Sequence, residues 1–312
     1  MVNKIAIACQ GGGSHTAFTA GVLKRILKEN KRKFEIVGLS GTSGGAICAL
    51  LAWYGLLKND KKLSIEKLDG FWTDNSASSL WDSILNEWIL WAVRMQEVIT
   101  TPEISPYYFP TWAQDQLRGL LKKHVDFDEI KTLVNSSSPR LLIGASDVLS
   151  GKFKVFKNDE NSADTILASA AIPTFFRSVK IDKTIYWDGL FSQNPPLREF
   201  IVDSGEKPDE LWVIQINPET RKNEPVSVKE ITDRRNELAG NLSLNQEVYF
   251  IETVNKWVKA GEFVDKDKFK NIKIKWIKME KEMDYESKLN RNPTFIQDLM
   301  KYGETQAEDF LK

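Results

Sequence analysis

Phe34-Glu35-Ile36-Val37-Gly38-Leu39-Ser40-Gly41-Thr42-Ser43-Gly44-Gly45-Ala46-Ile47-Cys48-Ala49-Leu50-Leu51 joins two apolar segments through a turn of glycine and hydroxyl residues. The apolar run from Phe34 to Leu39 predicts a buried strand, and Ala46 to Leu57 predicts a helix. Between them, Gly41-Thr42-Ser43-Gly44-Gly45 fits G-x-S-x-G. A serine on a sharp strand-to-helix turn takes a strained backbone and holds its hydroxyl clear of the chain. Small residues two positions away on either side let the backbones pass closely. A plain loop could carry the same five residues, but the strand before and the helix after favour a nucleophile elbow.

The same alternation extends outward. Ile5 to Cys9 predicts a first strand, ending at Gln10-Gly11-Gly12-Gly13-Ser14. Thr16 to Asn30 follows as a helix, with Phe18, Val22, Ile26 and Leu27 at helical spacing. Further strands are expected at Leu141 to Ala145, Lys152 to Phe156, Ile185 to Trp187 and Leu211 to Ile216. Strands alternating with helices imply a three-layer α/β/α fold around a mainly parallel sheet. Such sheets bind ligands at the carboxyl ends of their strands, where both glycine turns fall.

Glycine N–H groups at a helix start make an anion site. In acyl transfer, that anion is the oxygen of the tetrahedral intermediate. Two phosphate-binding patterns fail. G-x-G-x-x-G needs a glycine where Thr16 stands, and the G-K-[ST] of a phosphate loop has no lysine here. No nucleotide cofactor is expected.

The chain has 312 residues, of which 42% are hydrophobic and 28% charged, as in an ordinary globular protein. Forty-three basic residues balance 43 acidic ones, so no nucleic-acid partner is expected. Cys9 and Cys48 both lie in apolar segments and read as buried free thiols. The N-terminus lacks a secretory pattern and no run is long enough to span a membrane. A cytoplasmic protein is the default expectation, with peripheral membrane association or signal-independent export left open. Oligomeric state is not legible.

Residues 1–220 are expected to form the main domain. Within it, residues 71–115 differ, because five of the ten tryptophans lie there: Trp72, Trp81, Trp88, Trp91 and Trp112. Trp81, Leu85, Trp88 and Ala92 share a helical face, widened by Ile84, Trp91 and Val98. One reading is a helical layer on the core. The other is an apolar lid or acyl pocket in which Trp81, Trp88 and Trp91 contact substrate or lipid. Residues 221–312 read as an extension packed on the main domain, with a long helix over Val228 to Val258, a strand over Ile272 to Ile277 and a closing helix over Pro293 to Phe310.

A serine nucleophile needs a base. The chain has only His15 and His124. His15 comes too early for the usual α/β-hydrolase order, and His124 ends a polar helix where a solvated ring is expected. A carboxylate within hydrogen-bond reach can serve instead. Tyr186-Trp187-Asp188-Gly189-Leu190 puts an acid at the end of an apolar strand, although Asp-Gly there is also a common turn.

Four stretches, in order, resemble the patatin-like phospholipases: Gly11-Gly12-Gly13, Gly41-Thr42-Ser43-Gly44-Gly45, Ala168-Ser169-Ala170-Ala171-Ile172-Pro173 and Asp188-Gly189. They span about the first 200 residues. The resemblance implies a serine acyl hydrolase acting on lipid or fatty acyl esters through a Ser43–Asp188 dyad. Gly11, Gly12, Gly13 and Gly44 would supply the oxyanion hole, with Gly41 and Gly45 shaping the elbow. His15 stands where the family often has arginine or lysine, and becomes a candidate substrate contact. Leu190 stands where the family has glycine or alanine. Serine and carboxylate suffice in such a dyad, so the resemblance implies no metal and no cofactor. Three rival readings are an esterase or thioesterase on soluble acyl esters, a non-catalytic lipid-binding protein, and a histidine-dependent hydrolase.

Overall fold

The computed structural model describes residues 2–30, 34–77, 105–108, 110–173, 175–262, 269–281 and 283–312. The helical face expected at Trp81, Trp88 and Trp91 lies outside these residues. Among the described residues, eight strands form one sheet: β1 (Asn3–Cys9), β2 (Phe34–Gly41), β3 (Arg140–Asp147), β4 (Phe153–Lys157), β5 (Val179–Ile181), β6 (Thr184–Asp188), β7 (Glu210–Gln215) and β8 (Lys273–Lys278). The strands β3-β2-β1-β7-β8 run parallel in that spatial order, while β4 and β6 pair antiparallel with β3, and β5 with β6.

Alternation along the strands divides the core. Ile5, Ile7 and Cys9 of β1, with Trp212 and Ile214 of β7, face one apolar layer; Ala6, Ala8, Leu211 and Val213 face the other. The first layer contains α1 (Ala17–Leu27), α2 (Gly44–Leu57), α3 (Lys61–Asn75), α4 (Trp112–His124), α5 (Phe127–Leu133) and α6 (Ala163–Ser169). The short α7 (Glu199–Val202) and the 33-residue α8 (Val228–Ala260) cover the second face. The closing helix α9 (Pro293–Phe310) returns to the first, where Gly21 and Gly303 let α1 and α9 approach backbone to backbone. Helices therefore flank a mostly parallel sheet on both faces, as the alternation implies.

The last 92 residues contribute β8 beside β7, α8 on one face and α9 on the other. Phe71 and Trp72, placed by the sequence at the start of the insertion, are buried residues of α3. Cys9 and Cys48 are free and buried, and burial pushes the Cys48 thiol up to about 12. Among the described residues, no helix is long and apolar enough to cross a membrane.

Candidate active site

Strand β3 determines where the site forms. Leu142 and Ile143 pair with β2 on one edge and β4 on the other; Ala145 and Ser146 pair with β4 and β6. A strand has only two edges, so β6 takes over from β2 along the same one. Gly41 lies opposite Ile143, and Asp188 lies opposite Ala145. Since β6 runs antiparallel to β3, the carboxyl ends of β2 and β6 meet head to head. Ser43 and Asp188, 145 positions apart, are brought together by this register.

Ser43 has φ 56° and ψ −130°, in the left-handed region that a non-glycine residue rarely adopts. It occupies the N-cap of α2 but makes no side-chain capping bond. A serine there would ordinarily accept from a first-turn N–H; here the hydroxyl makes no such bond. The flanking glycines allow this geometry. A Cβ on Gly41 would lie 2.4 Å from the Gly45 carbonyl oxygen, and one on Gly45 would lie 2.2 Å from that of Cys9.

One segment secures both site residues. Ser169 Oγ accepts the Ser43 N–H at 3.0 Å and donates to the Gly144 carbonyl at 2.6 Å. Two residues later, the Ala171 carbonyl accepts the Asp188 N–H at 3.0 Å. The stretch Ala168 to Pro173, known from the sequence only as part of a resemblance, therefore ties the elbow to the acid.

Asp188 is fully buried. Its Oδ1 accepts the Leu190 N–H at 2.8 Å. Among the described residues, Oδ2 is buried without a hydrogen-bond partner of good geometry, although the Ser43 hydroxyl lies near enough to favour the charged carboxylate. Burial dominates and pushes the carboxyl up to about 7, with the Leu190 N–H and Ser43 hydroxyl pulling it partly back.

The first glycine turn runs beside the elbow. A Cβ on Gly11 would lie 2.9 Å from Ser43 Cβ, and one on Gly44 would lie 2.8 Å from the Gly13 carbonyl oxygen. The four glycines expected as donors are not equivalent. Gly11 N–H donates to Asn194 Oδ1 at 2.7 Å and is not free for an oxyanion. Among the described residues, Gly12, Gly13 and Gly44 have no assigned acceptor for their N–H groups. Gly44 also opens α2, whose amino end attracts negative charge.

Sequence reasoning missed Asn194. It is fully buried, and among the described residues its Nδ2 has no hydrogen-bond partner. It faces Gly240 of α8, where a Cβ would lie 3.0 Å from Asn194 Nδ2 and 3.2 Å from Leu190 Cδ1. Leu190, which stands where the resemblance implies glycine or alanine, is thus accommodated by a glycine on the facing helix. Next to Gly240, Asn241 accepts from Gln10 Nε2 at 2.9 Å, while Gln10 Oε1 accepts the N–H groups of Ile216 and Asn217. The long helix therefore supports the glycine turn as well as the core.

Neither histidine joins Ser43. His15 is buried, with Nε2 2.7 Å from Ser287 Oγ, and its ring lies near Phe295. Burial, aided by Lys288, holds it well below the usual imidazole range. His124 does end helix α4, but the expected solvated ring is instead buried against Gly70 and Phe71 of α3, its Nε2 2.7 Å from Asp74 Oδ2. Among the described residues, no group of three or more His, Cys, Asp or Glu side chains is placed to hold a metal.

No curated protein sequence matches the chain. The crystal structure of VipD from Legionella pneumophila is similar over 100% of this chain and 67% of that one, at 13% identity and a TM-score of 0.47. The family model for patatin-like phospholipases matches residues 7–201, a span that contains both glycine turns, Ser43, Ser169, Asp188 and Asn194. That span is more than half of the chain, and the chain belongs to the patatin-like phospholipase family, whose members are lipid acyl hydrolases.

Proposed function

We propose that the chain hydrolyses fatty acyl esters of lipids through a Ser43–Asp188 dyad. The observation that carries this reading is the buried Asp188 carboxyl, its Oδ2 without a well-formed hydrogen bond, beside a serine whose hydroxyl caps nothing. A base that titrates near neutrality suits proton transfer at physiological pH.

Ser43 Oγ attacks the ester carbonyl carbon and its proton passes to Asp188. The carbonyl π electrons move onto oxygen, and the N–H groups of Gly12, Gly13 and Gly44 receive the oxyanion. Loss of one such donor typically costs about 3 kcal/mol of transition-state stabilisation. Collapse expels the alcohol, which takes the proton from Asp188 and leaves an acyl-serine. Asp188 then draws a proton from water, hydroxide adds to the acyl carbon, and the fatty acid leaves as Ser43 is reprotonated.

Asn194 acts as a positioning residue. By engaging Gly11 N–H, its carboxamide fixes the start of the glycine turn so that the next two N–H groups face the elbow. The 1–220 and 221–312 division is one of sequence span alone in this reading, because α8 supports Asn194, Leu190 and Gln10.

Hydrolysis of a fluorogenic long-chain ester and a phospholipid panel by wild type, Ser43→Ala and Asp188→Asn tests the proposal. Fatty acid release by wild type and its loss in both folded variants supports the dyad. Full activity in Ser43→Ala ends it. Preference for short soluble esters would instead favour the esterase reading.

A further inference from the structure

The outer face of α8 carries an apolar stripe. Val228, Ile231, Leu238, Leu242 and Tyr249 are all exposed large hydrophobics on this one helix. With Arg235 and Asn245, also exposed, they occupy alternating three- and four-residue steps, the spacing of a coiled-coil seam. The opposite face is engaged by the fold: Glu237, Asn241, Leu244, Glu247, Ile251 and Val254 are buried. The stripe from Ile231 to Tyr249 is about 27 Å long at the usual helical rise.

From Ile231 to Tyr249 the stripe is symmetric about Gly240, while Val228, at its end, falls opposite Glu252. Leu238 and Leu242 lie two residues either side, Arg235 and Asn245 five, and Ile231 and Tyr249 nine. When such a helix packs antiparallel on its own copy about a two-fold axis at Gly240, Leu238 meets Leu242, Ile231 meets Tyr249 and Arg235 meets Asn245. This self-matching is what an isologous interface requires. Charge agrees with it. Between Arg235 and Glu252, the only charged residues are Glu237 and Glu247, both buried. The two Arg235 residues fall opposite asparagines and do not face each other. A lipid surface calls for lysine and arginine along the whole flank of the apolar face; here Arg234 and Arg235 stand towards one end, and the positions from Asn236 to Tyr249 carry neither.

We propose that the outer face of α8 is the dimer interface between two copies of this chain, paired antiparallel about Gly240. The interface lies on the side of α8 turned away from the catalytic turns, and the proposal does not rest on the hydrolase reading.

Sedimentation equilibrium of the full chain tests it with charge pairs that report the register. Wild type is expected to sediment at twice the chain mass. Leu238→Glu with Leu242→Glu places glutamates opposite glutamates and should yield monomer. Leu238→Glu with Leu242→Lys places each glutamate opposite a lysine and should keep the dimer. Both substitutions are at exposed positions, and circular dichroism confirms that each variant is folded. Wild type monomeric throughout the micromolar range overturns the proposal. Equal behaviour of the two double variants overturns it too, because a lipid surface, another face or another register would not distinguish them.

Discussion

Replacing Asp188 by Asn should stabilise the folded chain, and the gain should depend on pH in a defined way. Burial raises the Asp188 carboxyl from 3.8 to about 7 in the folded protein. The folded pKa therefore lies above the unfolded one, and folding favours the protonated acid. The contribution of Asp188 to stability is fully present below about pH 4 and is lost as pH rises through about 7. At about 1.4 kcal/mol per unit, three units amount to about 4 kcal/mol of penalty once the carboxylate is ionised. Asn keeps an oxygen for the Leu190 N–H and carries no charge, so it escapes that penalty. The stability difference between Asp188→Asn and wild type should grow by about 2 kcal/mol from pH 5 to pH 7 and level off above it. Urea unfolding of both proteins at matched pH values measures it. A difference that is flat with pH, or that changes only near pH 4, would mean that Asp188 is solvated and does not titrate as a buried base.

Four further expectations follow from the same geometry. The acid limb of kcat/KM should titrate near pH 7, where Asp188 loses its proton, rather than near 4; a pH–rate profile on a soluble ester reads it. Ser43→Gly should abolish hydrolysis yet raise stability by about 1 kcal/mol, because glycine relieves the φ of 56°; an inactive variant less stable than wild type would argue against backbone strain at the elbow. Ser169→Ala should destabilise by about 1–3 kcal/mol and lower kcat more than it raises KM, since the Ser43 N–H and Gly144 carbonyl both lose a partner. Asn194→Ala should lower kcat with KM little changed, and Asn194→Asp, which keeps the acceptor for Gly11 N–H, should recover part of the loss; equal defects in the two would remove the positioning role.

The catalytic candidates were legible because their constraints are local. The turn glycines around Ser43 are forced by contacts within that turn and with the end of β1, and Asp188-Gly189 closes a strand beside it. The partners that hold them were not legible. Asn194 reaches Gly11 across 183 positions and Ser169 reaches Ser43 across 126, through a strand register that no spacing encodes. His124 misled for a related reason. Lys122 and Lys123 make its surroundings look solvated, while a glycine at position 70 of another helix opens the space that buries it. From the sequence, Gly11, Gly12, Gly13 and Gly44 are four equivalent donors; only the placement of Asn194 sets Gly11 apart. Nothing local to Gly240 marks it as the position that admits Leu190 and Asn194.

Reaction with a long-chain alkyl fluorophosphonate, followed by peptide mass mapping, addresses the dyad at the level of the bond it forms. One adduct on Ser43 is expected, formed far more slowly in Asp188→Asn and absent in Ser43→Ala. An adduct on another residue, or labelling of Ser43 at an undiminished rate without the Asp188 carboxylate, would show that this pair is not the nucleophile and its base.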